Sequence, residues 1–236
     1  MKYNNPIEFV SLGPGDPELI TLKGLRKLQE ADLIFCPATQ KGDASKAADI
    51  VRSLSIDEQK IRLYTLPMSR DRSDAQKAYN TLCEELVRQQ TEGAHIVVTA
   101  EGDAGFYSST HDICEELQAK GIGWRQIPGV PAFIAAGAEA GLHVVSQNER
   151  LTVLPGTAVG LAEAVERSDS VVIMKLSACA ETVHRYLQGH PQITCHYFER
   201  IGTPKAFYTN DRDEIQGRTF PYFSLLLLIP RRGEEG

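Results

Sequence analysis

The stretch EFVSLGPGDPELITLKGLRKLQEADLIF, residues 8–35, decides the fold. A short apolar run at residues 8–12 leads into the turn Gly-Pro-Gly-Asp-Pro, and a second apolar run follows at residues 33–36. Between the two runs, leucines recur at helical spacing. An apolar run, a helical segment and another apolar run are typical of a strand-helix-strand unit with parallel strands.

The same alternation continues along the chain and predicts an α/β fold with mixed, largely parallel sheets. Gly121 and Gly123 interrupt the pattern, which then starts again. We therefore expect two α/β domains, residues 1–120 and residues 121–236. Further strands are predicted at residues 61–66, 95–99, 124–127, 171–176, 195–198 and 225–229, and helices at residues 73–92, 132–140, 161–165 and 181–187.

The composition is that of a folded globular protein, with 42% hydrophobic and 24% charged residues among 236. The 25 basic and 31 acidic residues give a net charge of −6, which argues against a nucleic-acid binder that relies on broad phosphate neutralisation. The apolar segment LLLLI, residues 225–229, is far shorter than the roughly 20 residues that cross a bilayer. The N-terminus lacks a secretion signal, so we expect a cytoplasmic protein without membrane partners.

The cysteine and histidine spacings do not indicate a metal site. Five cysteines without a C-x-x-C pair favour reduced, buried thiols over disulfides or structural zinc. His111 precedes Asp112, but no second histidine stands at the spacing of a helical metal site. We therefore expect no bound metal.

The opening turn does not match a dinucleotide-binding turn, which reads G-x-G-x-x-G. Gly13 and Gly15 have the first spacing, but Glu18 occupies the third glycine position. Pro14 stiffens the turn and lacks an N–H group, so the turn offers few donors to a phosphate. A tight turn that only reverses the chain and a ligand-binding turn both remain open.

Three later segments also end a predicted strand in a turn or a methionine, and strand ends are where open α/β sheets bind ligands. VVTAEGDAGFYSST, residues 97–110, has the turn Gly102-Asp103, after which we predict a helix that begins with Phe106 and Tyr107. QIPGVPAFIAAGAEAGL, residues 126–142, has a Pro-Gly turn before an alanine-rich helix. SVVIMKL, residues 170–176, carries a methionine at its strand end.

Taken in order, these segments resemble the tetrapyrrole methylase family over residues 10–229. CPATQKGDASKAADIV, residues 36–51, LPMSRDRSDAQKAYNTL, residues 66–82, and EGDAGFYSST, residues 101–110, look most like one branch of it. That branch methylates C20 of precorrin-2, or of its cobalt-containing counterpart cobalt-factor II, in cobalamin biosynthesis.

The resemblance implies a homodimer of two-domain subunits, with S-adenosylmethionine bound as methyl donor in a cleft between the domains. The N-terminal domain would face the tetrapyrrole, and the C-terminal domain would contribute to the S-adenosylmethionine site. Carried over residue by residue, the cofactor-binding positions are Pro14, Glu101, Gly102, Asp103, Phe106, Pro131, Ala132, Met174 and Gly202.

The chain departs from the family pattern at three positions. Ala104 replaces the usual proline after Gly-Asp, and Pro131 replaces a usual Ser or Thr, so backbone groups would have to compensate for the missing hydroxyl. Pro37 stands where the uroporphyrinogen methylases of the family tend to carry an aspartate. This last departure fits the C20 branch.

The acceptor implied by the resemblance sets two further requirements. Its acetate and propionate groups need cations, and we predict that Lys41, Lys46, Arg70 and Arg72 bind these carboxylates. The methylated carbon must lose a proton, for which the candidates are Asp103, Tyr107 and His111. The sequence does not rank them, so the catalytic residues stay unassigned.

Two alternative functions remain open at the level of sequence. The same fold could methylate another acceptor, such as another corrinoid position, ribosomal RNA or a protein side chain. It could also hold a tetrapyrrole without reacting, because the same residues would serve a carrier.

Overall fold

A computed structural model describes residues 5–38, 44–65 and 72–230 of the chain. The chain divides into two units, Met1–Pro131 and Ala132–Gly236. The described residues form two five-stranded sheets, one in each unit. The predicted class, α/β with mixed, largely parallel sheets, is confirmed.

Strands and helices alternate along the described part of the first unit, as the apolar runs predicted. The elements are β1 (Ile7–Ser11), α1 (Leu22–Glu30), β2 (Leu33–Ala38), α2 (Lys46–Ser53), β3 (Ile61–Thr65), α3 (Arg72–Thr91), β4 (Ile96–Ala100), α4 (Thr110–Ala119) and β5 (Trp124–Ile127).

All strands of the first sheet run parallel, in the order β3-β2-β4-β1-β5. Parallel neighbours need crossover connections, and the helices provide them while covering both faces of the sheet. On β1, Phe9 packs in one core with residues of α3 and α4, whereas Val10 packs in the other core with residues of α1 and α2. Because β1 lies between β4 and β5, the carboxyl ends of these three strands meet at one edge.

The second unit contains a mixed sheet in the order β6-β7-β10-β8-β9. β6 and β7 pair in parallel, and the remaining pairs are antiparallel. Its elements are α5 (Ala132–Glu139), β6 (Leu151–Pro155), α6 (Leu161–Arg167), β7 (Ser170–Met174), α7 (Ala180–Gly189), β8 (Thr194–Glu199), β9 (Phe207–Thr209), α8 (Arg212–Gln216) and β10 (Ser224–Ile229).

The boundary between the two units lies after Pro131, and not at the predicted position, because β5 belongs to the first sheet. We expected the boundary at residues 120–121, where glycines interrupt the helical pattern. β5 pairs with β1, however, with Phe9 opposite Gln126. Hydrogen bonding to the first sheet therefore keeps residues up to Pro131 in the first unit.

A buried carboxylate organises one side of the second sheet. Glu199 is only 5% exposed, and its Oε1 accepts hydrogen bonds from the hydroxyl of Tyr197 at 2.7 Å and from Nε of Arg218 at 3.0 Å. The guanidinium of Arg218 also lies 3.8 Å from the ring centroid of Phe207. Charge, hydrogen bonds and ring contact thus compensate for the burial of this ion pair.

The five cysteines are free thiols, and four of them are buried, which confirms the prediction of reduced, buried thiols for those four. Burial raises the pKa of Cys36 and Cys83 to about 11 and that of Cys114 to about 12. Because the thiolate is the reactive form, these side chains serve packing in the folded protein.

Candidate functional site

The turns singled out from the sequence lie side by side in the first unit. They follow β1, β4 and β5, which are neighbours in the sheet and end at the same edge. In open α/β sheets this carboxyl edge is the usual place for a ligand. The turns therefore form the candidate functional site of the first unit.

The turn after β1 and the turn after β4 are joined by their glycines. The N–H of Gly13 donates to the carbonyl of Gly102 at 3.1 Å, and the N–H of Gly102 donates back at 2.7 Å. Both residues have positive φ, 76° and 71°, a conformation that glycine adopts at little cost. The stiff Gly-Pro-Gly turn is thus not a simple chain reversal, because an antiparallel bridge joins it to the turn after β4.

Asp103 joins the turn after β4 to the turn after β5. Its Oδ1 accepts a hydrogen bond from the N–H of Gly105 at 2.8 Å, and its Oδ2 accepts one from the N–H of Gly129 at 2.7 Å. From the sequence we expected this carboxylate to accept hydrogen bonds from a cofactor. Both oxygens already bind backbone N–H groups, although an ionised carboxylate retains further acceptor sites.

Ser11 and Gly129 complete the contact between the three turns. Ser11 is fully buried at the end of β1, and its Oγ accepts a hydrogen bond from the N–H of Ala104 at 2.8 Å. A Cβ atom at Gly129 would lie 2.5 Å from Cβ of Ser11 and 2.8 Å from the carbonyl oxygen of Gly102. Only glycine fits there without a shift. Ser11 was not predicted from the sequence as a site residue, although a serine at the end of an apolar strand was a usable signal.

Lys46 contacts Pro14 at the same edge and lies within electrostatic reach of Glu101. Nζ of Lys46, from the first turn of α2, donates to the carbonyl oxygen of Pro14 at 2.9 Å. Burial raises the pKa of Glu101, and the charge of Lys46 opposes that rise. Burial in turn lowers the pKa of Lys46, opposed by the charge of Glu101. Nζ of Lys46 thus contacts the turn after β1, and its role as a cation for substrate carboxylates stays a prediction.

The other predicted cations lie outside what can be described. Lys41 and Arg70 fall in the two gaps of the described chain, and the side chain of Arg72 is likewise outside it. Their role in binding carboxylates stays a prediction.

Phe106 and Tyr107 lie in the turn and not at the start of a helix, so that prediction was wrong. Tyr107 has a φ of 49°, which a right-handed helix cannot include, and α4 begins only at Thr110. The two rings contact edge to face with centroids 4.6 Å apart. Phe106 is half-buried and Tyr107 is 44% exposed, so this aromatic pair borders the turn after β4.

The remaining predicted site residues belong to the end of the first unit and to the second unit. Pro131 directly precedes α5, and Ala132 is its first residue. Met174 ends β7, and its carbonyl accepts a hydrogen bond from the N–H of Gly156 at 2.7 Å. Gly202 lies in the turn after β8 with a φ of 72°. β7 and β8 point the same way on either side of β10, so Met174 and Gly202 lie at one edge of the second sheet.

The edge of the first sheet carries groups suited to a cationic, ribose-containing cofactor such as S-adenosylmethionine. A Cβ atom added to Gly102 would meet no atom within 4 Å, so the space beside its Cα is open. The carboxylate of Glu101 precedes this glycine, and the half-buried ring of Phe106 follows it. The acidic group suits a cation, and the backbone beside Gly102 suits the hydroxyl groups of a ribose. The aromatic ring suits a nucleobase.

Two other kinds of site receive no support within the described ranges. These residues contain no group of three or more His, Cys, Asp or Glu side chains that could hold a metal ion. Nor does any helix in the described part of the chain have the length and apolar character needed to cross a membrane.

Comparisons with known proteins agree with this arrangement. The family model described as Tetrapyrrole (Corrin/Porphyrin) Methylases matches residues 6–215. The cobalt-precorrin-2 C(20)-methyltransferase of Salmonella typhimurium strain LT2 is 27% identical over 230 residues, which cover 95% of this chain and 96% of the relative. The precorrin-2 C(20)-methyltransferase of a Sinorhizobium species is 29% identical and covers 93% of each chain.

A solved structure shares the fold. The uroporphyrin-III C-methyl transferase from Thermus thermophilus, complexed with S-adenyl homocysteine, superposes with a TM-score of 0.69 at 20% identity and covers 95% of this chain and 97% of that chain. The family model, which spans most of the sequence, confirms the resemblance drawn from the turns. The chain belongs to the tetrapyrrole (corrin/porphyrin) methylase family.

Proposed function

We propose that this protein transfers a methyl group from S-adenosylmethionine to C20 of precorrin-2, or of its cobalt-containing counterpart, in cobalamin biosynthesis. The observation that carries the proposal is similarity over nearly the whole chain to two C(20)-methyltransferases, one named for precorrin-2 and one for cobalt-precorrin-2. Their names differ in the metal, so the proposal covers both acceptors.

The methyl-transfer reaction depends mainly on how its two reactants are oriented. A nucleophilic carbon displaces the methyl group of a sulfonium in line, and a neutral thioether leaves. Fixing the two reactants in a near-attack geometry can supply on the order of 7 to 11 kcal/mol of the barrier. The turns around Gly13, Gly102 and Gly129 are held by hydrogen bonds to one another, which suits them to such positioning.

The proposed cofactor-binding residues are those carried over from the family. In the first unit, Gly102 borders open space, Phe106 supplies a half-buried ring and Glu101 supplies an acidic group. The division of roles, with the first unit facing the tetrapyrrole and the second contributing to cofactor binding, belongs to the same proposal. The full set is Pro14, Glu101, Gly102, Asp103, Phe106, Pro131, Ala132, Met174 and Gly202.

Assembly and location complete the proposal. We expect a homodimer, which light scattering on the purified protein would detect as twice the mass of the chain. We also expect the protein in the cytoplasm, where S-adenosylmethionine is made and where reduced cysteines persist.

The proposed activity is tested by anaerobic incubation of the protein with S-adenosylmethionine and either precorrin-2 or cobalt-factor II, followed by mass spectrometry and NMR of the product. We expect one methyl group at C20 of one acceptor. Addition of S-adenosylmethionine alone should raise the melting temperature, because it binds the folded state. Binding without methylation would favour a carrier, and methylation at another carbon would correct the position.

Replacing Asp103 with alanine tests the role of the carboxylate that joins two turns. Hydrogen bonds to a charged group are worth about 1.5 to 3 kcal/mol each, and partial exposure places Asp103 at the low end. We expect the free energy of unfolding to fall by about 1.5 kcal/mol in urea titrations. We also expect about tenfold weaker S-adenosylmethionine binding by calorimetry, because the turns lose their alignment.

Asp32→Ala is the matched control. Oδ2 of Asp32 accepts a hydrogen bond from the N–H of His95 at 2.8 Å, so it too joins the ends of two strands, but at the opposite edge of the sheet. This variant should lose stability and keep its cofactor affinity. Equal losses of affinity in both variants would show that Asp103 acts only through global stability.

A further inference from the structure

Two buried hydroxyl groups hold the main chain of Ala104, in the turn after β4. One belongs to Ser11, at the end of β1, and the other to Thr110, the first residue of α4. All three residues are buried, with at most 3% of their surface exposed. Asp103 directly precedes Ala104 and Phe106 follows two residues later, so the hydroxyls act between residues that are proposed to bind the cofactor.

The two hydroxyls bind opposite sides of Ala104. Its N–H donates to Oγ of Ser11 at 2.8 Å, and its carbonyl accepts a hydrogen bond from Oγ1 of Thr110 at 2.7 Å. Both distances are those of well-formed hydrogen bonds. Nε2 of Gln126 makes a longer contact with the same carbonyl, at 3.4 Å. The hydroxyl of Thr110 is therefore the main donor to this carbonyl.

The hydroxyl of Thr110 serves the turn and not its own helix. A serine or threonine at a helix start commonly accepts a hydrogen bond from an N–H of the first turn. In α4 the N-cap residue is Ser109, which makes no such side-chain bond to the described residues of the helix. Oγ1 of Thr110 instead donates to Ala104 and contacts Oγ of Ser108 at 3.0 Å.

The bond from Thr110 to Ala104 also joins the two ends of a strained loop, residues 104–110. Within this loop Tyr107 has a φ of 49°, a left-handed conformation that is unfavourable for a residue with a side chain. Such a conformation persists only where surrounding contacts fix the chain. Loss of the bond is therefore expected to loosen the loop that carries Phe106.

We propose that Ser11 and Thr110 are positioning residues for the cofactor, because their hydroxyls fix the turn after β4 in the conformation that S-adenosylmethionine binds. The proposal rests on the function proposed above. Neither residue contacts the cofactor in it, and both act through Gly102, Asp103 and Phe106. A ligand that meets an ordered turn loses no affinity to the ordering of that turn.

Thr99 provides the matched control for a role in stability alone. It is fully buried in β4, and its Oγ1 donates to the carbonyl of Phe35 in β2 at 3.2 Å. It thus shares residue type, burial and kind of bond with Thr110, but its bond joins two strands and holds no turn. Thr99→Val and Thr110→Val remove equivalent hydroxyls, so we expect similar losses of stability.

The first test measures S-adenosylmethionine binding by calorimetry at a temperature where every variant is folded. We expect about tenfold weaker binding by Ser11→Ala and Thr110→Val, with a less favourable entropy, because the cofactor must then order the turn. Thr110→Ser keeps the hydroxyl and should restore most of the affinity, and Thr99→Val should match wild type. In methylation assays the KM for S-adenosylmethionine should rise by the same factor, with kcat at saturating cofactor almost unchanged.

Hydrogen exchange gives a second readout that needs no ligand. Mass spectrometry of the segment 101–110 should show faster amide exchange in Ser11→Ala and Thr110→Val than in wild type and Thr99→Val, because local opening of the turn becomes easier. Saturating S-adenosylmethionine should slow this exchange again in both variants.

The outcomes separate this proposal from the proposed function. If wild-type protein binds no S-adenosylmethionine, the proposed function fails and the positioning role falls with it. If wild type binds but Thr110→Val loses no more affinity than Thr99→Val, only the positioning role is overturned. The same holds if Thr110→Ser binds as weakly as Thr110→Val.

Ser11→Ala keeps the test decisive if Thr110→Val does not fold. This variant removes one oxygen atom and keeps the Cβ atom that lies against Gly129. Wild-type affinity and wild-type exchange in Ser11→Ala would overturn the positioning role of the hydroxyls.

Discussion

Replacing Glu199 with alanine is expected to lower the free energy of unfolding by about 3 kcal/mol. The carboxylate is 5% exposed, and its removal leaves the hydroxyl of Tyr197 without its acceptor and the guanidinium of Arg218 without its nearest anion. The loss is large because a buried acceptor of both donors disappears, and Arg218, whose side chain is 28% exposed, keeps the more distant Glu214 as an anion. Urea titration followed by circular dichroism measures the change.

Glu214→Ala is the matched control for this prediction. Its carboxylate lies 3.5 Å from the same guanidinium of Arg218, but it is 44% exposed. Exposed ion pairs contribute about 0 to 1 kcal/mol, so this variant should unfold almost as wild type does. If both variants lost a similar free energy of unfolding, the burial of Glu199 would not increase its contribution to stability.

Replacing Gly129 with alanine is expected to cost about 1 to 3 kcal/mol of folding free energy and to reduce methyl transfer strongly. The new methyl group would lie 2.5 Å from Cβ of Ser11 and 2.8 Å from the carbonyl oxygen of Gly102. The three turns would have to separate, and the hydrogen bond from Gly129 to Asp103 would lengthen. Denaturant titration and the methylation assay follow the two effects.

Gly189→Ala is the corresponding control. A Cβ atom at Gly189, the last residue of α7, would meet no atom within 4 Å. The stability of this variant should lie within about 0.5 kcal/mol of wild type. A Gly129→Ala protein that is as stable and active as this control would mean that the turns adapt easily to the added methyl group.

The strands and the turns could be predicted because local patterns encode them. The run that begins with Trp124 was predicted as a strand with the bounds that the structure gives it. The end of β1 in a Gly-Pro-Gly turn was also evident from the sequence. Some short elements were not predicted, such as the eight-residue helix α2, which starts at Lys46, and the three-residue strand β9.

The contacts between distant segments could not be predicted, because they depend on strand order. The pattern does not reveal that β10, the last strand, lies between β7 and β8. For the same reason the sequence did not reveal that Asp103 accepts a hydrogen bond from the N–H of Gly129. Its contact with a cofactor stays a prediction. The hydrogen bond from Lys46 to Pro14 joins residues from two different strand-helix units, so neither spacing nor composition could reveal it.

The backbone bonds that connect Gly13 to Gly102 have a thermodynamic consequence for recognition. Loops at the edge of a sheet usually fluctuate, and a ligand that binds them must offset the lost conformational freedom. Here the amide hydrogens of Gly13, Gly102 and Gly129 are already engaged within the protein. These turns are already ordered in the folded protein. A ligand that binds this edge therefore loses little affinity to the ordering of the turns.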